Sequence, residues 1–424
     1  ALFLTNGAVF ANLLPRLPEI KSCLELGNSA YGLAVAALPA GAILAGLGAG
    51  ALVRRFTSAR VAVAGMVLAS LGVLAAGVAP SVWLLVAALV LAGAVDAITD
   101  VAQNAHGLRV QRRYGRSIIN SFHALWSVGS TIGGIMAAAA ITAGLPLGVH
   151  LGLSAVIFST VAVVAGRFAL PGPDRQQGSD RPVDPDRPVG PDPTAGPAAD
   201  SRDTAAPAAP SAPASSPSSE FNQVDDAASP APKKRRRLRW SVWAVLSALV
   251  VISVSGAVVE ESGNSWAALY LSQSLAAPAQ IAALGFIALV GAQFVGRLIG
   301  DRLIDRFGQR AVARSGGLIV AAGMGLALAF PSLVGTIVGF GAAGFGVATL
   351  VPAAMHQADE LPGLRPGTGL TVVAWLMRIG FLATPPLVGL ISDVASLRVG
   401  LLIMPAAGVA VVALASVLPK RRQR

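Results

Sequence analysis

Apolar runs of about twenty residues recur along this chain, and no other feature constrains the fold as tightly. A helix needs about 20 apolar residues to cross the hydrocarbon of a bilayer, and in lipid it satisfies its own backbone. Such spans are predicted over Tyr31–Val53, Val61–Ala79, Ser81–His106, Ser117–Ala143, Leu147–Leu170, Trp240–Leu271, Ala279–Leu303, Ala311–Phe330, Leu333–Met355, Gly369–Ser392 and Val399–Leu418. Residues Ala1–Leu14 read as the end of a further helix whose start is missing, since position 1 is Ala and not Met. The expectation is an all-α membrane protein of twelve transmembrane helices. Charge agrees: 12% of residues are charged and mean hydropathy is +0.67, against about 25% charged in soluble domains. Abundant small residues, 47 of them Gly, let such helices approach closely. The single cysteine, Cys23, excludes a disulfide within the chain. No basic leader with a small-residue cleavage site marks a signal peptide. Arg16, Glu19, Lys21 and Glu25 read as a first loop outside the membrane.

From Pro171 to Arg239 the composition turns to Pro, Ala, Ser, Asp and Arg, with almost no large apolar residues. Such a segment cannot bury enough surface to offset its ordering entropy. It is expected to be a disordered cytoplasmic linker (171–239) between an N-terminal half (1–170) and a C-terminal half (240–424). The linker ends in the basic run from Lys233 to Arg237. Arg54, Arg55, Arg60, Arg109–Arg116, the linker, Arg302–Arg314, Arg365 and Lys420–Arg424 all fall on one side, whereas the turns near Pro80, Gly144–Pro146, Pro278 and Pro331 carry almost no basic residues. The net charge of +11 is thus topological and does not point to nucleic acid. It places the basic turns and both termini in the cytoplasm, with the protein in the cytoplasmic (inner) membrane. Weak attraction of the basic run to anionic lipid fits the same placement.

The two halves align without gaps over one stretch, at an offset of 251 residues from Arg55-Phe56 to Arg306-Phe307. The same offset carries Val61 to Val312, Gly65 to Gly316, Gly72 to Gly323, Pro80 to Pro331, Ser81 to Ser332, Gly93 to Gly344 and Gly129 to Gly380. This is the mark of a duplicated six-helix half.

Within Leu84–Trp126 the repeat is broken by polar residues at membrane depth. Asp96, Asp100, Gln103 and Asn104 fall on one helix face, and the second half has Val347, Val351 and Met355 where the first has Asp96, Asp100 and Asn104. A carboxylate at mid-membrane costs roughly 2.5–3.5 kcal/mol on insertion scales, so it needs a function or a partner. Asp96 is expected to carry a proton, with Asp100, His123 and Glu260 as further proton-carrying candidates. Asp100 and Asn104 alternatively make a gate contact to Arg109 or Arg116. Glu260 is preferred to Glu261, because Asn264 is its i+4 neighbour and the two acids point about 100° apart. Candidate solute contacts are Asn6, Gln103, Asn104, Trp126, Asn264, Trp266, Tyr270 and Arg378. Trp266 and Tyr270 could instead form an interfacial aromatic belt. Arg378 either clamps a carboxylate of the solute or pairs with a glutamate of helix seven, and Arg297 is expected to pair with Asp301 or a helix end. Four His and one Cys, spread apart, make no metal site. No Gly-x-x-x-x-Gly-Lys-Ser/Thr loop is present, which excludes ATP drive of that type. Nothing points to an enzyme or to a cofactor.

Two six-helix halves, a central linker and Arg-rich turns after helices two and eight resemble the major facilitator superfamily. The turn Asp305-Arg306-Phe307-Gly308-Gln309-Arg310 matches that family's signature, and Gly50 to Thr57 is a degraded copy with Arg54 and Thr57 where the family has Asp and Gly. The resemblance implies a cytoplasmic gate built from Arg55, Arg116, Arg297, Asp301, Asp305, Arg306 and Arg310. Asp100, Asn104 and Gly107, then Gly115-Arg116, His123, Ser127 and Gly129 are similar to the bacterial fucose-permease-like branch. So are Glu260, Trp266 and Tyr270, Arg297 with Gly300-Asp301, and Pro385-Pro386. Sugar symporters of that branch use acids on helices one and four, and here helix one offers Asn6. The implied function is secondary active transport of a small polar, sugar-like solute by alternating access, coupled to protons, in a monomer. The alternatives are efflux of amphipathic compounds, although Gly129 to Gly134 lacks the proline of the antiporter motif, and a transporter-like sensor signalling through the linker.

Overall fold

The computed structural model describes residues 1–115, 118–172, 233–362, 364–365 and 367–419. Expectations for Arg116 and for most of the linker lie outside these residues. The first half contains α1 (Leu2–Leu13), α2 (Leu17–Cys23), α3 (Asn28–Phe56), α4 (Ser58–Gly77), α5 (Val82–Tyr114), α6 (Ile119–Thr142) and α7 (Leu147–Arg167). The second contains α8 (Lys233–Leu269), α9 (Ala279–Phe307), α10 (Gln309–Ala329), α11 (Leu333–Val347), α12 (Leu350–Asp359), α13 (Thr368–Val394), α14 (Leu397–Gly400) and α15 (Ile403–Leu414). No strand occurs among the described residues. Eleven helical runs among them are long and apolar enough to cross a membrane. They coincide with the eleven predicted spans, and α1 packs beside them on α6 and α7.

Three local features depart from the expectations. The first loop is helical: a 3-10 turn at Leu14–Arg16 leads into α2, and both Arg16 and Lys21 are buried. Arg16 turns inward because Glu19 and the Leu145 carbonyl oxygen give its guanidinium partners at 2.7 and 3.0 Å. The span over Leu333–Met355 is broken between α11 and α12, where Pro352 has no N–H to offer Ala348. Helix α8 closes on a single π turn, Tyr270–Ser274.

The repeat is realised atom by atom. Ser81 and Ser332 cap α5 and α11 with nearly the same backbone angles, each accepting from the N–H three residues on. A β-carbon on Gly93 would stand 1.9 Å from the Leu38 carbonyl oxygen, and one on Gly344 would stand 2.0 Å from that of Leu289. Leu38 and Leu289 are themselves one repeat apart, so the same helix crossing is built twice. At the turns after α3 and α9, Thr57 and Gly308 both take positive φ, 75° and 84°. Gly308 does so freely. Thr57 stands in a region that costs a side-chain-bearing residue about 1–3 kcal/mol.

Two seams join the halves, α3 against α13 and α6 against α9. They are equivalent under the repeat. Glycine permits close contact in both: Gly32 lies on the Pro385 carbonyl and Gly134 on the Phe286 ring.

Candidate functional site

The site begins at Asn6, buried on α1 between α5 and α6. Its amide has one donor side and one acceptor side, and both are used. Nδ2 donates to Asp96 Oδ1 at 2.9 Å, and Oδ1 accepts from Trp126 Nε1 at 2.7 Å. Trp126 in turn lies under Arg297 of α9, whose guanidinium carbon is 5.9 Å from the ring centroid. Arg297 Nη1 donates to Ser127 Oγ at 3.0 Å, and Nη2 stands 3.9 Å from Glu260 Oε2. Gln293, one turn before Arg297 on the same face of α9, donates to that same oxygen at 2.9 Å. An unbroken series of polar contacts therefore runs from Asp96 through Asn6, Trp126 and Arg297 to Glu260, crossing from one half to the other.

A second group stands one to two turns along α5. Asn104 Nδ2 donates to both the backbone and the side-chain oxygen of Asp100, each at 2.9 Å. Its Oδ1 lies 3.2 Å from His123 Nε2, which must then be the donor. The Phe3 and His123 rings meet edge to face, with centroids 5.4 Å apart. Asp100 and His123 are exposed, as is Arg378 on α13, which stands beside Gly46 of α3 with Trp375 at 6.0 Å. Among the described residues Arg378 holds no ion pair with a glutamate of α8.

Several expected contacts differ. Gln103 is buried and donates to the Leu2 carbonyl at 3.3 Å, so the polar face of α5 divides between α1 and α6. Arg297 meets Glu260 and Ser127 in place of Asp301, because its helix face looks toward α6 and α8. Trp266 and Tyr270 are 0% and 1% exposed. Both are core side chains, and the Tyr31 and Trp266 rings meet edge to face with centroids 4.9 Å apart. Asn264 is half-buried. Glu261 has its own partner, Ser265 Oγ at 2.5 Å, and the Ser265 carbonyl accepts from the Tyr31 hydroxyl at 2.6 Å.

At the Arg-rich end, Arg55 and Arg306 each lie over the phenylalanine that follows, both at 5.4 Å. Arg310 is held by the Leu418 carbonyl at 2.8 Å. Asp301 and Asp305 are exposed and, among the described residues, hold no ion pair. At the end away from the Arg-rich turns, Tyr31, Trp266 and Tyr270 are buried side chains. Sequence reasoning missed Gln293, Tyr31 and the engagement of Glu261, and read Ser127 only as part of a motif. Of these, Gln293 alone had a visible signal, its spacing of one turn from Arg297.

The chain matches the family profile described as Major Facilitator Superfamily over residues 1–302. It is 25% identical over 416 residues to "Uncharacterized transporter y4wD" of Sinorhizobium fredii, covering 98% of this chain and 96% of that protein. It is 36% identical to "Membrane protein MosC" of Rhizobium meliloti over 179 residues, 42% of each chain. Among solved structures it is similar to the nucleoside transporter NupG, with TM-score 0.69, 10% identity and coverage of 98% and 97%. A bacterial homolog of the human lysosomal transporter Spinster, in an inward-facing and unoccupied conformation, gives TM-score 0.65 at 14% identity, covering 98% of this chain and 94% of that one.

Proposed function

The chain belongs to the major facilitator superfamily, and we propose that it carries a small polar, sugar-like solute across the cytoplasmic membrane by alternating access, driven by protons. The observation that supports this reading is the contact series from Asp96 to Glu260, because it joins a half-buried acid of one half to an ion pair of the other. A charged Asp96 holds the Asn6 amide by a charge-assisted bond. Protonation removes the charge and weakens that bond. Asn6 then loosens its hold on Trp126, and through Trp126 the position of Arg297 changes. Proton uptake on one side of the pair is thereby coupled to the fit between the halves. Glu260 at the far end of this series, and Asp100 and His123 in the second group, are the further proton-carrying candidates. The solute meets the accessible polar groups Asn104, His123 and Arg378, with Trp126 and Trp375 as flat surfaces against a sugar ring. Asn264, Trp266 and Tyr270 join the site only when the opposite end opens. In this reading the Arg-rich end is cytoplasmic and the state described is inward-facing.

The test is uptake into proteoliposomes across a panel of sugars, sugar acids, nucleosides and amphipathic compounds, with and without an imposed pH gradient. Full-length protein should accumulate one class of solute only with the gradient. Asp96→Asn should lose accumulation yet still exchange solute at equilibrium. Accumulation unaffected by Asp96→Asn would sink the proton assignment, and accumulation of no panel member would sink the solute class.

A further inference from the structure

Helix α3 begins without a cap of its own. Its N-cap is Gly27, which has no side chain to offer, whereas α5 and α11 are capped in cis by Ser81 and Ser332. The first N–H groups of a helix need acceptors from outside it. Those of Asn28 and Ser29 find them on Asp393, with Oδ1 at 3.1 Å from one nitrogen and Oδ2 at 2.8 Å from the other. Asp393 stands in the last turn of α13, in the other half. A carboxylate there opposes the dipole of its own helix, so its own element gives no reason for it. The reason lies across the seam, where the positive end of α3 meets it. The charge of buried Lys21 on α2 also acts on Asp393. The backbones can come this close because Gly389 lies against the Asn28 carbonyl oxygen and Gly32 against that of Pro385. One turn further in, the Tyr31 hydroxyl makes a second bond between the halves, to the Ser265 carbonyl.

The equivalent seam lacks this device. Thr142 stands where the repeat would place Asp393, and its hydroxyl bonds its own helix, at the Ala138 carbonyl. The shared fold therefore does not require the carboxylate.

We propose that Asp393 is a positioning residue for the transport cycle: it caps α3 in trans when the α3–α13 seam is closed and releases α3 when that seam opens. The proposal rests on the alternating-access reading above. Release uncovers Tyr31 and Glu261 together with Trp266 Nε1, which is buried here with no hydrogen-bond partner among the described residues. These groups would then face the solute from the opposite side.

The test needs no solute, so its failure is separable from failure of the transport reading. Cys23 is the only cysteine and is replaced by Ser. Ala36, buried one turn below Gly32 on the same face of α3, becomes the reporter as Ala36→Cys. Intact vesicles are labelled from outside with a membrane-impermeant maleimide. Asp393→Ala should raise the labelling rate about fivefold, the scale set by one helix cap. Asp393→Asn, which keeps the size and one acceptor, should raise it less and covers the case in which the alanine variant does not fold. Adding Gly27→Asp to Asp393→Ala supplies the cap in cis. It should restore thermal stability while labelling stays high, since the halves remain untied. Unchanged labelling in both Asp393 variants would overturn the proposal. So would a return to the original rate on adding Gly27→Asp, because that would reduce Asp393 to a stabiliser of α3.

Discussion

Lys21 carries a charge that its surroundings resist. Burial pushes its ammonium below the ordinary value of 10.5, and the carboxylate of Asp393 pulls it part of the way back. Asp393→Asn removes the pull, so the Lys21 pKa should fall further, which NMR of reductively methylated lysine reads directly. In the wild type the unfolded chain holds this proton more tightly than the folded one. Stability should therefore rise with pH between the folded pKa and about 10.5, and Asp393→Asn should widen that window downward. None of this was legible at residue scale, because Lys21 and Asp393 are brought together only by the tertiary fold. Asp96 was legible, since a carboxylate in an apolar run with an apolar counterpart at Val347 announces itself. Its partner Asn6 was legible as a residue and not as a bond: an amide on α1 could have faced any neighbour. Arg297 was misplaced for a related reason. Asp301 is its neighbour in sequence, whereas Glu260 is its neighbour in space.

At the scale of elements the helices were almost fully readable. Apolar length, with Gly and Pro at the ends, bounds a span, and the repeat supplies a second reading of each. What failed to show were the features that tertiary contact decides, such as the helical course of Leu17–Cys23 and the inward turn of Arg16. The turns after α3 and α9 give a direct comparison, because the same positive φ is occupied by Thr57 in one half and by Gly308 in the other. Thr57→Gly should raise thermal stability by about 1 kcal/mol, and Gly308→Thr should lower it by a similar amount. Thermal unfolding in detergent checks both. No gain from Thr57→Gly would mean that Thr57 is relaxed by its surroundings and that the degraded copy of the signature turn carries no strain.

For the whole molecule the question is which glycines hold a half together and which let the halves move. Gly93 and Gly344 sit inside their halves, pressed on the carbonyls of Leu38 and Leu289. Gly32 sits between the halves, where an added β-carbon would fall 2.3 Å from the Pro385 oxygen. The clash is similar in size at all three positions, and the relief available is not. A side chain at Gly93 or Gly344 can be accommodated only by parting helices that pack within one half, at the cost of buried contacts. A side chain at Gly32 is accommodated when the α3–α13 seam opens, a movement the transport cycle itself requires in this reading. Gly93→Val and Gly344→Val should thus lower the unfolding temperature of the protein and leave any folded fraction in the same conformational balance. Gly32→Val should leave most of the thermal stability in place and shift the balance toward the state open at the end where Asp393 stands. The measurements are thermal unfolding and external maleimide labelling of Ala36→Cys on the same samples. Should Gly32→Val prove as destabilising as Gly93→Val with no rise in labelling, the seam is a fixed interface, and the halves must part elsewhere.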